Sequence, residues 1–304
     1  MALYLTVLGS SSATPSLNRH PSAFLLRSDR MRSLMLIDCG EGTQIQLRRY
    51  GICMQKISHI FISHLHGDHF FGLVGFLLSQ SLLGRKNTLH VYAHSPLKKI
   101  LKMILDVDKT VLQYPLEFHT IKSGTHVLLE DDKIQVKAFP LMHSLPTHGF
   151  LFKEKGYPYL IKKSFLETHD ISKQWVERIK NGEAYVDECG KCYPLEEIAE
   201  KENNLRSFAY CSDTAYFPEL VRKVKNVNML YHEATFMADL ENAANDKKHS
   251  TTIQAANIAK AAKADNLLIG HFSARYKDIR PLQEEAQTVF PRTLIALEGA
   301  TFKI

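Results

Sequence analysis

The sequence is poor in the features that mark secreted and membrane-spanning proteins. Its 304 residues include only five cysteines, an odd number that does not suggest a disulfide framework and suits a reducing compartment. Its longest apolar stretch, residues 70–83, is interrupted by polar side chains and is too short for a membrane span. The apolar run 2–8 follows no basic residue and is too short for a secretory signal. We therefore expect a soluble cytoplasmic protein with no membrane partner.

The chain also carries only a small excess of positive over negative side chains. The 38 basic and 32 acidic side chains give a formal net charge of +6, which permits a polyanionic partner without arguing for one. With 45% apolar and 23% charged residues, the chain can bury a sizeable core. Its length allows one large domain or two ordinary ones, and layered α/β folds often use such a length as a single unit.

Short apolar runs alternate with helical periodicity from end to end, which is typical of a layered α/β protein. The predicted strands are residues 3–8, 23–26, 34–37, 59–62, 89–92, 133–139, 207–211, 229–231, 266–269 and 293–296. The predicted helices are residues 43–50, 70–83, 96–105, 251–264 and 282–289. Ser250, Thr251 or Thr252 can cap the fourth helix.

One segment, residues 153–206, interrupts this pattern, and we call it the arm segment. Its apolar periodicity is weak, and it is punctuated by Gly156, Pro158, Gly182, Gly190 and Pro194. Because a structureless loop of this length is unusual inside a compact domain, we interpret it as a hairpin or helical arm inserted into a single domain, residues 1–304. A solvated surface excursion is the alternative.

The strongest motif is Ser63-His64-Leu65-His66-Gly67-Asp68-His69, between a predicted strand and a predicted helix. On a sharp strand-to-helix turn, His64 and His66 can converge on one cation while Asp68 and His69 face a second. Enzymes that cleave phosphate esters with two metal ions hold those ions about 3.5 to 4 Å apart. A lone histidine is more often a core or surface residue than a ligand, but four ligand-type side chains at one strand end indicate a metal site.

This His-x-His-x-Asp-His motif resembles the signature of the metallo-β-lactamase superfamily. The resemblance implies a four-layer αββα sandwich and three more ligands at strand ends, where the chain has His143, Asp213 and His271. The implied first site is His64, His66, His143 and Asp213, and the second is Asp68, His69, His271 and the bridging Asp213. Asp38 is implied to support the motif from behind. Two Zn²⁺ per subunit are expected because histidine ligands dominate, although manganese or iron would tolerate them.

Three further motifs resemble the ribonuclease Z family: His232-Glu233-Ala234-Thr235, His249-Ser250-Thr251 and Ser273-Ala274-Arg275-Tyr276. The resemblance implies a zinc-dependent endoribonuclease that cuts the 3′ trailer from precursor tRNA, leaving a 3′-hydroxyl on the tRNA and a 5′-phosphate on the trailer. His249 is then the general acid, Glu233 its orienting partner, and Asp68 a base as well as a ligand. Arg275, or a backbone nest nearby, would neutralise charge developing on the phosphate, and Ser273 is a further substrate-binding candidate.

The family also carries a tRNA-binding arm, inserted in the interval that the arm segment occupies here. Residues 153–180 hold seven basic and four acidic side chains, which suits phosphate contacts, whereas residues 187–202 are acidic. The glycine-proline motif of the usual bacterial arm is missing, and Cys189 and Cys192 are interpreted as a turn with two thiols. In the N-terminal loop, Pro15 and Arg19 match the family, so Arg19 is a further substrate-binding candidate, whereas Leu17 and His20 do not match.

Two other functions remain open. A small-molecule phosphodiesterase or arylsulfatase-like hydrolase could use the same metal site and would not need a tRNA clamp. A catalytically silent RNA-binding relative would have lost ligands, and none of the implied ligands is missing. The resemblance further implies a homodimer, in which one subunit's arm holds tRNA for the other's site, and no nucleotide cofactor.

Overall fold

The structure is a computed structural model that describes residues 2–107, 112–202 and 205–304. Within these ranges the strands are β1 Leu3–Gly9, β2 Ala23–Ser28, β3 Leu34–Ile37, β4 Ile57–Phe61, β5 Leu89–Ala93, β6 Leu116–Thr120, β7 His126–Glu130, β8 Ile134–Leu141, β9 Thr147–Glu154, β10 Tyr159–Ile161, β11 Tyr185–Val186, β12 Cys192–Tyr193, β13 Ala199–Lys201, β14 Ser207–Cys211, β15 Met229–Glu233, β16 Asn266–Gly270, β17 Thr293–Ile295 and β18 Thr301–Lys303. The helices are α1 Thr43–Arg49, α2 Gly67–Phe70, α3 Gly72–Leu82, α4 Ser95–Asp106, α5 Lys163–Thr168, α6 Lys173–Lys180, α7 Leu195–Ile198, α8 Leu220–Lys223, α9 Glu241–Asp246, α10 Thr252–Ala262 and α11 Arg280–Gln287.

Most strands belong to two seven-stranded sheets. The first has the order β18-β1-β2-β3-β4-β5-β6, and the second has the order β17-β16-β15-β14-β9-β8-β7. Strands β3 to β6 are parallel neighbours in the first sheet, as are β14 to β17 in the second. Because parallel neighbours end at the same edge, the loops that follow them lie side by side, where functional side chains of such sheets usually lie.

Three apolar clusters hold four layers together. The central cluster lies between the two sheets and includes Phe24, Phe61, Phe150 and Tyr210. A second joins the outer face of the first sheet to α1, α3 and α4, and a third joins the second sheet to α8, α10 and α11. Full burial of each such side chain contributes about 1.5 to 3 kcal/mol. The predicted αββα sandwich is confirmed.

Every predicted strand and helix overlaps an observed one, but some boundaries differ. The predicted helix 70–83 is divided into α2 and α3, which are separated by Phe71. Thr251 is the N-cap of α10, where its hydroxyl accepts the Gln254 amide N–H in a reciprocal capping box. The strands that sequence patterns did not reveal include β6, β7, β9 and β18.

The arm segment contains α5, α6, α7 and two two-stranded sheets, β10–β13 and β11–β12. Five of its buried apolar residues form a separate cluster, namely Phe165, Ile179, Tyr185, Ile198 and Ala199. At its base, the buried Glu154 carboxylate accepts the Ser28 hydroxyl and the Arg206 N–H, which joins the two ends of the segment to each other and to β2. Cys189 and Cys192 are exposed free thiols beside the β11–β12 turn.

Across the described ranges, no helix has both the length and the apolar character that crossing a membrane requires.

Candidate metal centre

The residues predicted as metal ligands meet at the edge where the parallel strands end. The histidine motif follows β4, His143 follows β8, Asp213 follows β14, and His271 follows β16. Gly67 opens α2 at a point where an added Cβ would overlap the ring of Phe71. A larger residue at this position would have to displace the exposed Phe71 ring. The loops of both sheets contribute to the site, so its assembly depends on the two sheets packing face to face.

Four ligand atoms converge in a first group. His66 Nδ1 lies 3.0 Å from His64 Nε2 and 3.2 Å from His143 Nε2. Asp213 Oδ2 lies 3.6 Å from His64 Nε2 and 3.7 Å from His143 Nε2. A tetrahedral zinc ion with ligands about 2.1 Å away has ligand-to-ligand edges of about 3.4 Å. The group therefore has the dimensions of a four-ligand zinc site.

A second group lies beside the first and shares Asp213. Asp68 Oδ2 is 3.5 Å from His69 Nε2 and 3.4 Å from His271 Nε2. Asp213 Oδ1 is 3.4 Å from His69 Nε2 and 3.3 Å from His271 Nε2. Since Oδ2 of Asp213 faces the first group and Oδ1 faces the second, one carboxylate can bridge two cations.

Two buried atoms in this cluster favour metal binding over a purely hydrogen-bonded network. His69 Nε2 and Asp213 Oδ1 have no hydrogen-bond partner among the residues that the structure describes. An unsatisfied buried polar group costs about 1 to 3 kcal/mol, and coordination of a cation would satisfy both atoms. The nitrogen and carboxylate donor set is one that zinc accepts. The residues present thus fit a pair of divalent cations.

The ligand rings are held by a second set of contacts. Asp38 Oδ2 accepts hydrogen bonds from His69 Nδ1 and the Tyr210 hydroxyl, each at 2.7 Å, and Asp38 Oδ1 accepts the Ser63 N–H at 2.7 Å. His143 Nδ1 donates to the Lys248 carbonyl at 2.8 Å. Such partners fix the tautomer and orientation of a metal-binding imidazole. Asp38 supports the motif from behind, as the resemblance implied.

The half-buried His249 and the buried Glu233 form a hydrogen-bonded pair next to the second group. His249 Nδ1 lies 2.8 Å from Glu233 Oε1, and the carboxylate also accepts the backbone N–H groups of Thr214, Thr235 and Ser250. Burial lowers the pKa of His249, but the charge of Glu233 outweighs burial, and the net pKa is raised to about 9. The imidazole is therefore protonated at neutral pH and can donate a proton. Its ring centroid lies 5.4 Å from that of His271.

A cleft of about 510 Å³ opens over the cluster. Its wall contains ligands, His249 and the N-terminal loop, and its lining residues are Ser12, Ala13, Thr14, Pro15, Glu41, His66, Gly67, Asp68, Phe71, Asp213, His249 and His271. The volume is within the usual range for a ligand-binding cleft.

The three residues predicted to bind substrate lie outside that lining. Arg19 donates from Nη2 to the Tyr276 carbonyl at 2.6 Å, so its guanidinium joins the N-terminal loop to the 273–276 loop. Arg275 is exposed, donates from Nε to the Ser273 hydroxyl at 3.3 Å, and has its guanidinium 5.0 Å from the Phe236 ring centroid. The centroid of the Phe236 ring in turn lies 6.3 Å from the centroid of the His249 ring. Arg275 and Ser273 thus remain near the site, whereas Arg19 is engaged by the fold.

Sequence reasoning missed several supporting residues. The Thr235 hydroxyl donates to Glu233 Oε2 at 2.8 Å and hydrogen-bonds His271 Nδ1 at 3.0 Å, so it joins the acid pair to a ligand. Its place beside Glu233 in the motif was a signal that could have found it. The Ala13 N–H donates to Asp68 Oδ2 at 2.8 Å. Neither this backbone contact nor the Tyr210 hydroxyl bond carries any sequence signal.

Comparison with known proteins gives two family matches. The family model described as Anti-Pycsar protein Apyc1 matches residues 3–183, more than half of the chain, so the chain belongs to that family. A ribonuclease Z from Cytophaga hutchinsonii is 44% identical over 306 residues, covering 100% of this chain and 97% of that protein. A ribonuclease Z from Phocaeicola vulgatus is 40% identical over 299 residues, covering 98% and 96%.

Among solved structures, the short form of human tRNase Z superposes with a TM-score of 0.71 at 25% identity, covering 98% of each chain. The fold and the family imply a dependence on divalent metal. Because the similarity extends over nearly the whole length of the bacterial relatives, the chain belongs to the ribonuclease Z family, hydrolytic endoribonucleases with the metallo-β-lactamase fold.

Proposed function

We propose that this protein is a zinc-dependent endoribonuclease that makes one cut in precursor tRNA. The cut removes the 3′ trailer and leaves a 3′-hydroxyl on the tRNA and a 5′-phosphate on the trailer. Support for the substrate comes from relatives named ribonuclease Z and from the similarity to human tRNase Z. The observation that supports the chemistry most is the shared Asp213 carboxylate, whose two oxygens face two ligand groups beside the His249–Glu233 pair.

Seven side chains are proposed to hold two Zn²⁺. The first ion would be held by His64, His66, His143 and Asp213, and the second by Asp68, His69, His271 and Asp213. When bound, the ions supply Lewis acidity for the scissile phosphate and for the attacking water.

Asp68 is proposed to accept the proton of the attacking water. Burial raises the pKa of its carboxyl group, but the adjacent His69 and His271 imidazoles outweigh burial and hold the pKa well below its ordinary value. The group is therefore ionised and can act as an acceptor. Its Oδ2 is fixed by the Ala13 N–H, and the residue lines the cleft.

His249 is proposed to protonate the departing 3′ oxygen, and Glu233 to position it. As the P–O3′ bond breaks, the electron pair moves to the 3′ oxygen, and the imidazolium supplies its proton, which yields the 3′-hydroxyl. Glu233 does not line the cleft, and its carboxylate is saturated by hydrogen bonds. Its role is to hold the ring in place and keep it protonated.

The arm segment is proposed to bind the body of the tRNA. Its exposed basic residues include Lys163, Lys173 and Arg178, and the segment has a core of its own from which to present them. Arg275, with Ser273 beside it, is proposed to contact phosphate near the scissile bond, and Arg19 to hold the loop that lines the cleft near the tRNA 3′ end. We also propose a homodimer that acts in the cytoplasm, where one subunit's arm serves the other's site.

The proposal is tested by incubating purified protein and zinc with a 3′-extended precursor tRNA that lacks an encoded CCA. The ends of both products are mapped, and a chromogenic phosphodiester is run in parallel. A single cut after the discriminator base, with the stated end groups, is the expected result. An intact tRNA with rapid turnover of the small ester would instead assign the chain to the small-molecule phosphodiesterases.

A further inference from the structure

A second cluster of ligand-type side chains lies on β5 and β6, apart from the candidate metal centre. His90 is in β5, and Glu117 and His119 are in β6, which is the outermost strand of the first sheet among the described residues. In the parallel register, Glu117 is the partner of His90. Because alternate residues of a strand point to the same face, Glu117 and His119 both face the side that carries His90.

Three ligand atoms of these residues lie at the vertices of a small triangle. His90 Nδ1 is 3.1 Å from His119 Nε2 and 3.3 Å from Glu117 Oε2, and His119 Nε2 is 3.9 Å from Glu117 Oε2. The edges of a tetrahedral zinc site are about 3.4 Å long, so the triangle has the size of three of its ligands.

Hydrogen bonding within the cluster does not join all three of its ligand atoms equally. If His90 Nδ1 carries the proton, it must divide one N–H between His119 Nε2 and the Glu117 carboxylate. If His119 Nε2 carries it, the N–H donates to the lone pair of His90 Nδ1, and the Glu117 carboxylate 3.3 Å from that nitrogen receives no proton from the cluster. A cation between the three atoms accepts a lone pair from each of them.

Both rings are already held in place by stacking. The His90 ring stacks on His59 with centroids 4.9 Å apart, and the His119 ring stacks on Tyr92 with centroids 4.5 Å apart. Binding therefore costs little side-chain ordering. The three side chains are 26%, 57% and 39% exposed, so an ion can enter from solvent and a water molecule can complete its coordination.

We propose that His90, Glu117 and His119 form a third metal site, which binds one Zn²⁺ and fastens β6 to β5. The site shares no ligand with the candidate metal centre. The His59 ring, which stacks on the His90 ring, lies within β4. The histidine motif of the candidate metal centre begins only after β4 ends, so the two sites are separate. An ion here stabilises the outermost strand of the first sheet and takes no part in RNA cleavage.

The test counts zinc in the full-length protein. Wild type, Glu117→Gln, His119→Ala and the control His126→Ala are stripped with a chelator, dialysed against micromolar free Zn²⁺, and measured by inductively coupled plasma mass spectrometry. Wild type and the control are expected to hold one more zinc ion per chain than the two cluster variants. Because the Glu117 side chain is more than half exposed, Glu117→Gln does not threaten the fold.

A second readout reports on β6 itself. Hydrogen exchange of the β6 amides is expected to slow on zinc addition in wild type and in His126→Ala, and to stay unchanged in Glu117→Gln and His119→Ala. Equal zinc contents in all four proteins would overturn the site. An extra ion without a change in β6 exchange would overturn its role in fastening the strand.

Discussion

In the candidate metal centre, buried and half-buried polar side chains meet where the strands end, and several are held by hydrogen bonds, whereas in the arm segment a small apolar core is surrounded by exposed charges. The centre draws on loops that follow β4, β8, β14 and β16 and needs both sheets. The arm segment has its own cluster of five buried apolar residues. This difference supports the proposed division of labour, in which the centre would perform the chemistry and the arm segment would select the RNA.

The largest expected effect comes from Asp213→Ala, which removes the carboxylate shared by both ligand groups. Cleavage of precursor tRNA and of a small phosphodiester should both fall by on the order of 10⁴-fold, as for other catalytic units that act together. Zinc content should fall with them. The control is Asp278→Ala, which removes an exposed carboxylate paired with Arg280 and should leave both activities intact.

His249→Ala should lower kcat for precursor tRNA by about 10² to 10⁴-fold, the usual contribution of a general acid. A precursor with sulfur in place of the departing 3′ oxygen should restore most of the loss, because a thiolate leaves without a proton. If the variant cleaved both precursors equally slowly, His249 would not be the acid.

Glu233→Gln should lower kcat by about 10 to 100-fold, as expected for a residue that positions a catalytic group. It should also alter the pH profile. In wild type, activity that requires protonated His249 is lost as pH rises through about 9. Without the Glu233 charge, the largest influence that raises the pKa of His249 is lost while burial still lowers it, so the loss of activity at high pH should begin at a lower pH. If the variant were slower but lost activity at the same high pH as wild type, Glu233 would have a merely structural role.

The smallest effect is expected from the surface of the arm segment. The double variant Lys163→Ala, Lys173→Ala should raise KM for precursor tRNA several-fold and leave kcat and small-ester turnover unchanged. The slope of log affinity against log salt should become shallower by about one to two units. Lys225→Ala, which removes an exposed lysine next to α8, is the matched control. An equal effect of the control would indicate a general loss of charge attraction.

Some parts of the fold and of the candidate site can be predicted from the sequence, and others depend on contacts between distant residues. Strands with apolar side chains on both faces, such as β3, and a histidine motif at a strand end have clear sequence signatures. Strand β6 carries only a weak signature, because its apolar and polar residues alternate over just five positions and none of its side chains is fully buried. Strand β9 extends to Glu154, which looks like a surface residue until the Ser28 and Arg206 contacts are seen. Partners such as Tyr210 depend on the packing of distant elements.

The most direct test of the division of labour is to shorten the arm segment without disturbing the sheets. Ile161 of β10 and Ala199 of β13 are antiparallel partners, so an Asn-Gly turn can replace residues 162–198. The kcat/KM for precursor tRNA is expected to fall by on the order of 100-fold, because a linked binding site multiplies affinity. Turnover of the small phosphodiester should stay at the wild-type rate, which also shows that the centre is intact. Unchanged cleavage of precursor tRNA by the shortened protein would contradict the account.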